Sequence, residues 1–509
     1  MARASEKLAE SLEYLKHLQD KGVVAIQSKD LTRTHRERLV KNGFIREVMK
    51  GWYIPSRSNE RSGDSTSWYT SFWGFCAAYL TERLGEDWCL SAEQSLNLHI
   101  GDKTVPAQLL VRSPGGRNKP TNLLYGTSIF DVKYSLPNPG HLETKSGLYL
   151  YSLPAALVYC LPNCFTSQAT QIRTALSMVT DASDVLAVLL DGGHSKIAGR
   201  LAGAFRNIGR DKVAENIVKG MRAAGYTVSE SDPFEDSPGI IFGRRDVSPY
   251  VNRIRLMWAE MRESVIKHFP PSPGNVNDSD AYMQQVEDIY VTDAYNSLSI
   301  EGYRVTPELV EQVRLGQWNP DNDEEDKEYL DALAAKGYWD AFQEVKEAIR
   351  RVLGGENSGE VFDDMHSDWY FALFGPSVAT GIIKQSDLAG YRTGPVYIRR
   401  SMHVPPSKEA VREMMPTLFE LLEEEQSPAV RVVLGHFIFV YIHPYFDGNG
   451  RMGRFLMNVM MAAGGYPWAV VPVEKRDEYM AVLEAASVER DIVPFTKFLG
   501  ALLTSGLRQ

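Results

Sequence analysis

The sequence predicts a multi-domain protein: an α-helical C-terminal core with a β-hairpin flap, preceded by an α+β middle region and a small N-terminal domain of helices and a two-stranded wing. Three observations carry this reading. From Val432 to Ile442 no residue is charged, and all are apolar except Gly435, His436 and Tyr441. A helix apolar all round belongs in a core, and this one is too short to span a bilayer. The stretch from Ser229 to Tyr250 is rich in Ser, Asp, Pro and Gly and marks the strongest boundary. Residues 1–60 show helical spacing first and strand-like runs last. The domains read as 1–60, 61–235 and 236–509.

In chain order, Glu6 to Gln19 forms an amphipathic helix through Leu8, Leu12, Leu15 and Leu18. Ser28-Lys29-Asp30-Leu31 follows, then Thr32 to Lys41, then the turn at Asn42-Gly43. Phe44 to Val48 and Trp52 to Ile54 read as two strands joined by Met49-Lys50-Gly51. Helix, helix, helix and a two-stranded wing is the order of a winged helix-turn-helix. Between Ser28 and Trp52 seven Lys/Arg stand against three Asp/Glu, in a chain whose net charge is −10. Arg33, Arg36 and Lys41 fall on or beside the recognition helix and Lys50 in the wing, so DNA is a candidate partner, through phosphate contacts that salt would weaken. A winged helix serving only protein contacts is the competing reading. The Leu39-Val40-x-x-Gly43 and Gly51-x-Tyr53 pattern resembles the N-terminal domain of AbiEi-type antitoxins, and residues 65–227 are similar to their second domain.

Composition sets the remaining bounds. The chain has 509 residues, 44% hydrophobic and 24% charged, which suits several globular cores. Its acidic balance supplies no global basic field for nucleic acid. Four cysteines make no disulfide framework, and Cys160 and Cys164 lack the two further partners of a zinc site. The polar start, Met1 to Glu10, is no signal peptide, and no apolar stretch reaches membrane length. A reducing cytoplasm is the expected location and no membrane partner is expected.

The C-terminal region carries the chemistry. Val286, Ile289, Tyr290, Ala294 and Leu298 recur at helical spacing, and Gly302 ends that helix. Glu301 then opposes the helix dipole and gains from a cationic partner. The acidic run Asp321 to Glu328 reads as a solvated helix start. Val396 to Pro406, bounded by Gly-Pro and Pro-Pro breakers, predicts a short β-hairpin or flap with His403 on its surface. Pro444 ends the buried helix, and Met452, Phe455, Leu456, Val459, Met460 and Ala463 predict an amphipathic helix after the loop. His436 reads as a satisfied core histidine.

Between those two helices lies His443-Pro444-Tyr445-Phe446-Asp447-Gly448-Asn449-Gly450-Arg451-Met452-Gly453-Arg454. Gly448, Asn449 and Gly450 permit tight turns, and their N–H groups with the next helix's first turn form an anion site. Arg451 and Arg454, three apart, suit phosphate because a guanidinium can bind two oxygens at once. Asp447 is a hard oxygen ligand of the kind magnesium accepts. His443 can take a proton near neutral pH.

This segment resembles the signature of the Fic family, with Tyr445 where phenylalanine is usual. The resemblance implies transfer of AMP from ATP onto a Tyr, Ser or Thr hydroxyl of a target protein, or of the chain itself. His443 would be the general base, and Asp447 would hold Mg²⁺. Gly448, Asn449 and Gly450 would hold the inner phosphates, with Arg451 and Arg454 on the outer ones. Ser297-Leu298-Ser299-Ile300-Glu301-Gly302 resembles the family's inhibitory motif, whose glutamate pairs with the second signature arginine, here Arg454, on a helix over about 283–302. In some relatives that glutamate also supports removal of AMP, and the sequence leaves the direction open. The flap, about 394–406, would dock an extended target segment through Tyr397, Ile398, His403 and Val404. A homodimer is among the assemblies the resemblance allows. The alternative is a DNA-binding, antitoxin-like regulator with the Fic part as a nucleotide sensor. His443 and Asp447 favour the enzyme, since a sensor needs no base.

Overall fold

The computed structural model describes residues 4–58, 64–236, 248–318, 326–388 and 390–505. The chain forms two compact units, Met1–Pro249 with Tyr397–Val404, and Tyr250–Val396 with Pro405–Gln509. Much of the predicted boundary at 229–250 and most of the acidic run at 321–328 lie outside the described residues.

The first unit begins with α1 (Ala4–Asp20), β1 (Ile26–Gln27), α2 (Arg33–Lys41), β2 (Ile45–Met49) and β3 (Trp52–Pro55). Thr32 caps α2 by accepting the His35 N–H at 3.3 Å. The strands pair antiparallel in the order β1-β3-β2. Two helices, not the three expected, precede the hairpin among the described residues, because Ser28–Asp30 is a turn. Asp30 accepts the Gln27 N–H at 2.7 Å, giving that backbone a local partner in place of a helical one. Next come α3 (Thr66–Leu84), β4 (Cys89–Leu90), α4 (Ala92–His99), β5 (Gln108–Ser113), β6 (Pro120–Asn122) and β7 (Ser128–Lys133). The sheet runs β4-β5-β7-β6, with β5 and β7 parallel. A hairpin of β8 (Leu142–Lys145) and β9 (Leu148–Tyr151) leads into α5 (Leu153–Tyr159), α6 (Cys164–Ser167), α7 (Ala169–Ser177), α8 (Ser183–Gly192), α9 (Ser195–Asn207) and α10 (Asp211–Ala223). Trp68, Phe72, Phe75 and Trp88 are fully buried in this unit's core.

The second unit is helical: α11 (Pro249–His268), α12 (Ser279–Glu301), α13 (Pro307–Arg314), α14 (Asp326–Leu353), α15 (Ser358–Ala379), α16 (Lys408–Glu424), α17 (Pro428–Ile442), α18 (Asn449–Ala463), α19 (Arg476–Glu484) and α20 (Val493–Ser505). α17 is buried along almost its whole length, as a charge-free helix must be. α18 is not the half-solvated helix expected, since every residue from Arg451 to Ala462 is buried. No helix among the described residues is long and apolar enough to cross a membrane.

The predicted flap takes another form. Residues 391–404 contain no strand, only irregular chain with bends and a turn at Arg399–Arg400, where Arg400 has φ +63°. Tyr397–Val404 belongs to the first unit, where Met402 and Val404 pack on the core and the Val105 N–H donates to the Met402 carbonyl at 3.0 Å. Arg399 pairs with Asp64 at 2.8 Å. His403, expected on the surface, is 3% exposed. The strand preference of the Val/Tyr/Ile run yields here to tertiary packing.

Candidate functional site

The site lies in the second unit, where α17 gives way to α18. His443 follows α17 in the left-handed region, φ 54° and ψ 61°, a strained conformation for a residue with a side chain. Gly448, at φ +80°, sits before α18, and a Cβ there would meet the Phe374 ring at 2.9 Å. The Asn449 side chain ties the loop together. It accepts the Tyr445 N–H at 2.9 Å and donates to the Tyr445 carbonyl at 2.8 Å. Tyr445 is 2% exposed and stacks on Tyr370, with ring centroids 3.8 Å apart.

The His443 Nδ1 lies 3.2 Å from the Val440 carbonyl, which can only accept, so the ring proton belongs on Nδ1 and Nε2 keeps its lone pair. Burial, helped by the Arg392 charge, pulls the imidazole down to about 4. It is therefore neutral at physiological pH and able to take a proton. Arg392 had no role in the sequence reading. It is 2% exposed and donates to the His443 carbonyl at 2.8 Å, to the Gly394 carbonyl at 3.0 Å and to the Pro406 carbonyl, while its N–H meets the Pro444 carbonyl at 2.9 Å. Only a fold that brings residue 392 to residue 443 reveals this clamp.

Two guanidiniums sit behind the loop. Arg451 is 1% exposed, lies over the Tyr303 and Phe374 rings at 5.3 and 5.1 Å, and reaches Asp447 at 3.2 Å. Asp447 accepts the Gly448 N–H at 2.6 Å, and 64% of its side chain is exposed. Arg454 is 3% exposed. Its Nε donates to the Ser297 hydroxyl at 2.9 Å, and its Nη2 donates to the Ser297 carbonyl at 3.1 Å and to the Glu301 carboxylate at 2.7 Å. The Arg451 Nε and Arg454 Nη1 are buried with no acceptor among the described residues. Buried donors of this kind cost free energy until an anion meets them.

Glu301 ends α12, and Gly302 follows at φ +98°, the left-handed cap a glycine supplies. Burial pushes the Glu301 carboxyl up, but Arg454 and Arg451 more than offset this and hold it below the ordinary carboxylate value. Its Oε1 stands so close over Gly450 that a Cβ there would lie 2.3 Å away. Arg476, also unforeseen, donates to the Ile300 carbonyl at 2.8 Å and caps the dipole end that Glu301 opposes. His436 is fully buried between the Gly453 carbonyl and the Tyr479 hydroxyl, each at 2.7 Å.

The basic residues of the N-terminus are scattered in role. Arg33 pairs with Glu37 at 2.7 Å, and Arg36 donates to the Ser28 carbonyl at 3.2 Å and lies over the Tyr53 ring. Lys41 and Lys50 are exposed.

The second unit is thus a helical domain whose anion-ready loop joins two buried helices. Residues 363–461 match the Fic/DOC family. The chain carries a Fic domain. Similar proteins include the protein adenylyltransferase Fic of Drosophila mojavensis, 27% identical over 228 residues, 42% of this chain and 39% of that one. The protein adenylyltransferase fic-1 of Caenorhabditis elegans is 37% identical over 112 residues, 21% of this chain and 22% of that one. The chain thus spans well under half of these relatives. Among solved structures, a fragment of Fic-1 from C. elegans is 18% identical at a TM-score of 0.38, covering 67% of this chain and 95% of that one.

Proposed function

We propose that this chain is a protein adenylyltransferase that moves AMP from ATP onto a protein hydroxyl and is held silent by Glu301. The observation that carries the reading is the convergence, at one helix N-terminus, of a neutral histidine and two buried guanidiniums with unused N–H donors. Phosphoryl-type transfer asks mostly for positioning and charge stabilisation, and these groups supply both. His443 Nε2 takes the proton of the target hydroxyl as its oxygen attacks the α-phosphorus. The new O–P bond forms while the bond to the bridging oxygen of the β-phosphate breaks, and pyrophosphate leaves. The N–H groups of Asn449 and Gly450 receive the negative oxygens, the Gly448 N–H being held by Asp447, and Arg451 and Arg454 balance the outer phosphates.

Asp447 fits a magnesium ion, being exposed and an oxygen donor. It has no cluster of further His, Cys, Asp or Glu ligands among the described residues, so substrate phosphates would complete the shell. When bound, the ion would neutralise charge on the inner phosphates.

Glu301 occupies an Arg454 nitrogen that a γ-phosphate oxygen would use, which is the basis of the inhibition. Incubation with labelled ATP and Mg²⁺ tests the reading. The native chain is expected to label itself weakly and Glu301→Gly at least tenfold more, the gain vanishing on adding His443→Ala. An unlabelled Glu301→Gly variant rules the transferase out.

A further inference from the structure

The left-handed backbone of His443 is costly for a residue with a side chain, and such a conformation persists only where its neighbours over-determine it. On the α17 side the histidine N–H donates to the Phe439 carbonyl at 3.0 Å, and its Nδ1 donates to the Val440 carbonyl at 3.2 Å. On the other side a single residue takes the next two carbonyls. The Arg392 Nε donates to the His443 carbonyl at 2.8 Å, and the Arg392 backbone N–H donates to that of Pro444 at 2.9 Å. The two remaining guanidinium nitrogens go to the carbonyls of Gly394 and Pro406. One planar fork of donors thus gathers three separate stretches of the second unit. The arrangement is expensive. No carboxylate pairs with Arg392 among the described residues, although it is 2% exposed. Burial, helped by the Arg412 charge, pulls its guanidinium down to about 10. A cation taken out of water onto neutral carbonyls is a poor device for stability alone. What it does supply is a fixed path for the chain on both sides of the Pro444 peptide.

We infer that Arg392 is a positioning residue for the base: it pins the peptide groups that follow His443 and so keeps the imidazole on Val440, with Nε2 left for the proton of the target hydroxyl. The inference rests on His443 acting as that base. Without Arg392 the His443 backbone can leave the left-handed region for the commoner ones, and the ring moves with it. Each side-chain nitrogen of Arg392 already has a carbonyl, so the residue holds chain rather than phosphate. The two arginines assigned to the nucleotide are held by other groups, Arg451 by Asp447 and Arg454 by Ser297 and Glu301. Loss of Arg392 therefore acts on the transfer step and spares the binding of ATP.

The test follows self-labelling of full-length chains in the Glu301→Gly background against the concentration of labelled ATP with Mg²⁺. Arg392→Met, which keeps the length and loses every side-chain donor, is expected to lower the maximal rate about thirtyfold and to leave half-saturating ATP within about twofold, because a misplaced base slows chemistry without touching the nucleotide's own ligands. Arg392→Lys, which keeps the charge but has a point donor in place of the fork, should recover part of the loss and stand about fivefold below the parent. A maximal rate in Arg392→Met equal to that of the parent overturns the inference. So does a parallel loss of rate and of ATP affinity in both variants, the mark of a general defect in the fold. If Arg392→Met does not fold, Arg392→Lys decides: a lower rate at unchanged half-saturating ATP supports the role, and a full rate overturns it. If the Glu301→Gly parent itself takes no label, it is the underlying transferase reading that fails.

Discussion

At the scale of single residues, the environment of His443 makes the sharpest claim. The imidazole is pulled down to about 4, so it is unprotonated throughout the range in which an ordinary histidine titrates, near 6.5. A general base works only unprotonated, so its contribution is lost as pH falls through its own value and is full above it. The kcat/KM of Glu301→Gly self-labelling, which reports the free enzyme, should therefore show no loss attributable to this base from pH 8 down to about pH 5.5. An inflection near 6.5 that His443→Ala abolishes would contradict the assignment. Replacing His443 by alanine should lower the rate about 10²–10⁴-fold, the usual worth of a positioned base. The base, the glycines and both arginines are readable in the sequence because they share twelve consecutive residues, His443 to Arg454. Arg392 is not, because a lone arginine carries no local pattern and its partner His443 stands 51 residues away.

At the scale of elements, α12 acts as a rod that presents a carboxylate at its C-terminal end, where the dipole is least favourable. The position is tolerated because Arg454 answers Glu301 and Arg476 answers the Ile300 carbonyl. Helical periodicity and the terminal glycine made this rod legible, since both signals are local. The solvated face expected of α18 was not there to be read. Its two arginines look like surface residues in a sequence but lie at 1% and 3% exposure. Breaking a fully buried pair costs about 3–5 kcal/mol. With 26% of the Glu301 side chain exposed, Glu301→Gly should cost about 2 kcal/mol, seen as a lower midpoint in thermal unfolding. ATP with Mg²⁺ restores an anion to Arg454, so it should raise the midpoint of the variant more than that of the native chain. A larger rise in the native chain would mean that Glu301 and the nucleotide do not compete.

At the scale of the whole molecule, the chain does not divide at one point. It leaves the second unit after Val396, contributes Tyr397–Val404 to the first, and returns at Pro405. Nothing local announces this. The alternation of Val396, Tyr397 and Ile398 between Gly-Pro and Pro-Pro reads as a hairpin, and only the first unit's core, absent from any sequence window, supplies the competing apolar surface. The consequence is measurable. Met402 and Val404 are partly buried on the core that holds Trp68 and Phe72, so changing both to alanine should destabilise the first unit by about 2 kcal/mol. Amide hydrogen exchange locates the effect, because buried segments exchange through opening of the unit that contains them. Exchange should quicken along α3 and β5 and stay unchanged along α17 and α18, although both substitutions lie in the sequence interval the Fic/DOC family match covers. Faster exchange in α17 and α18, with α3 unaffected, would assign these eight residues to the helical unit instead.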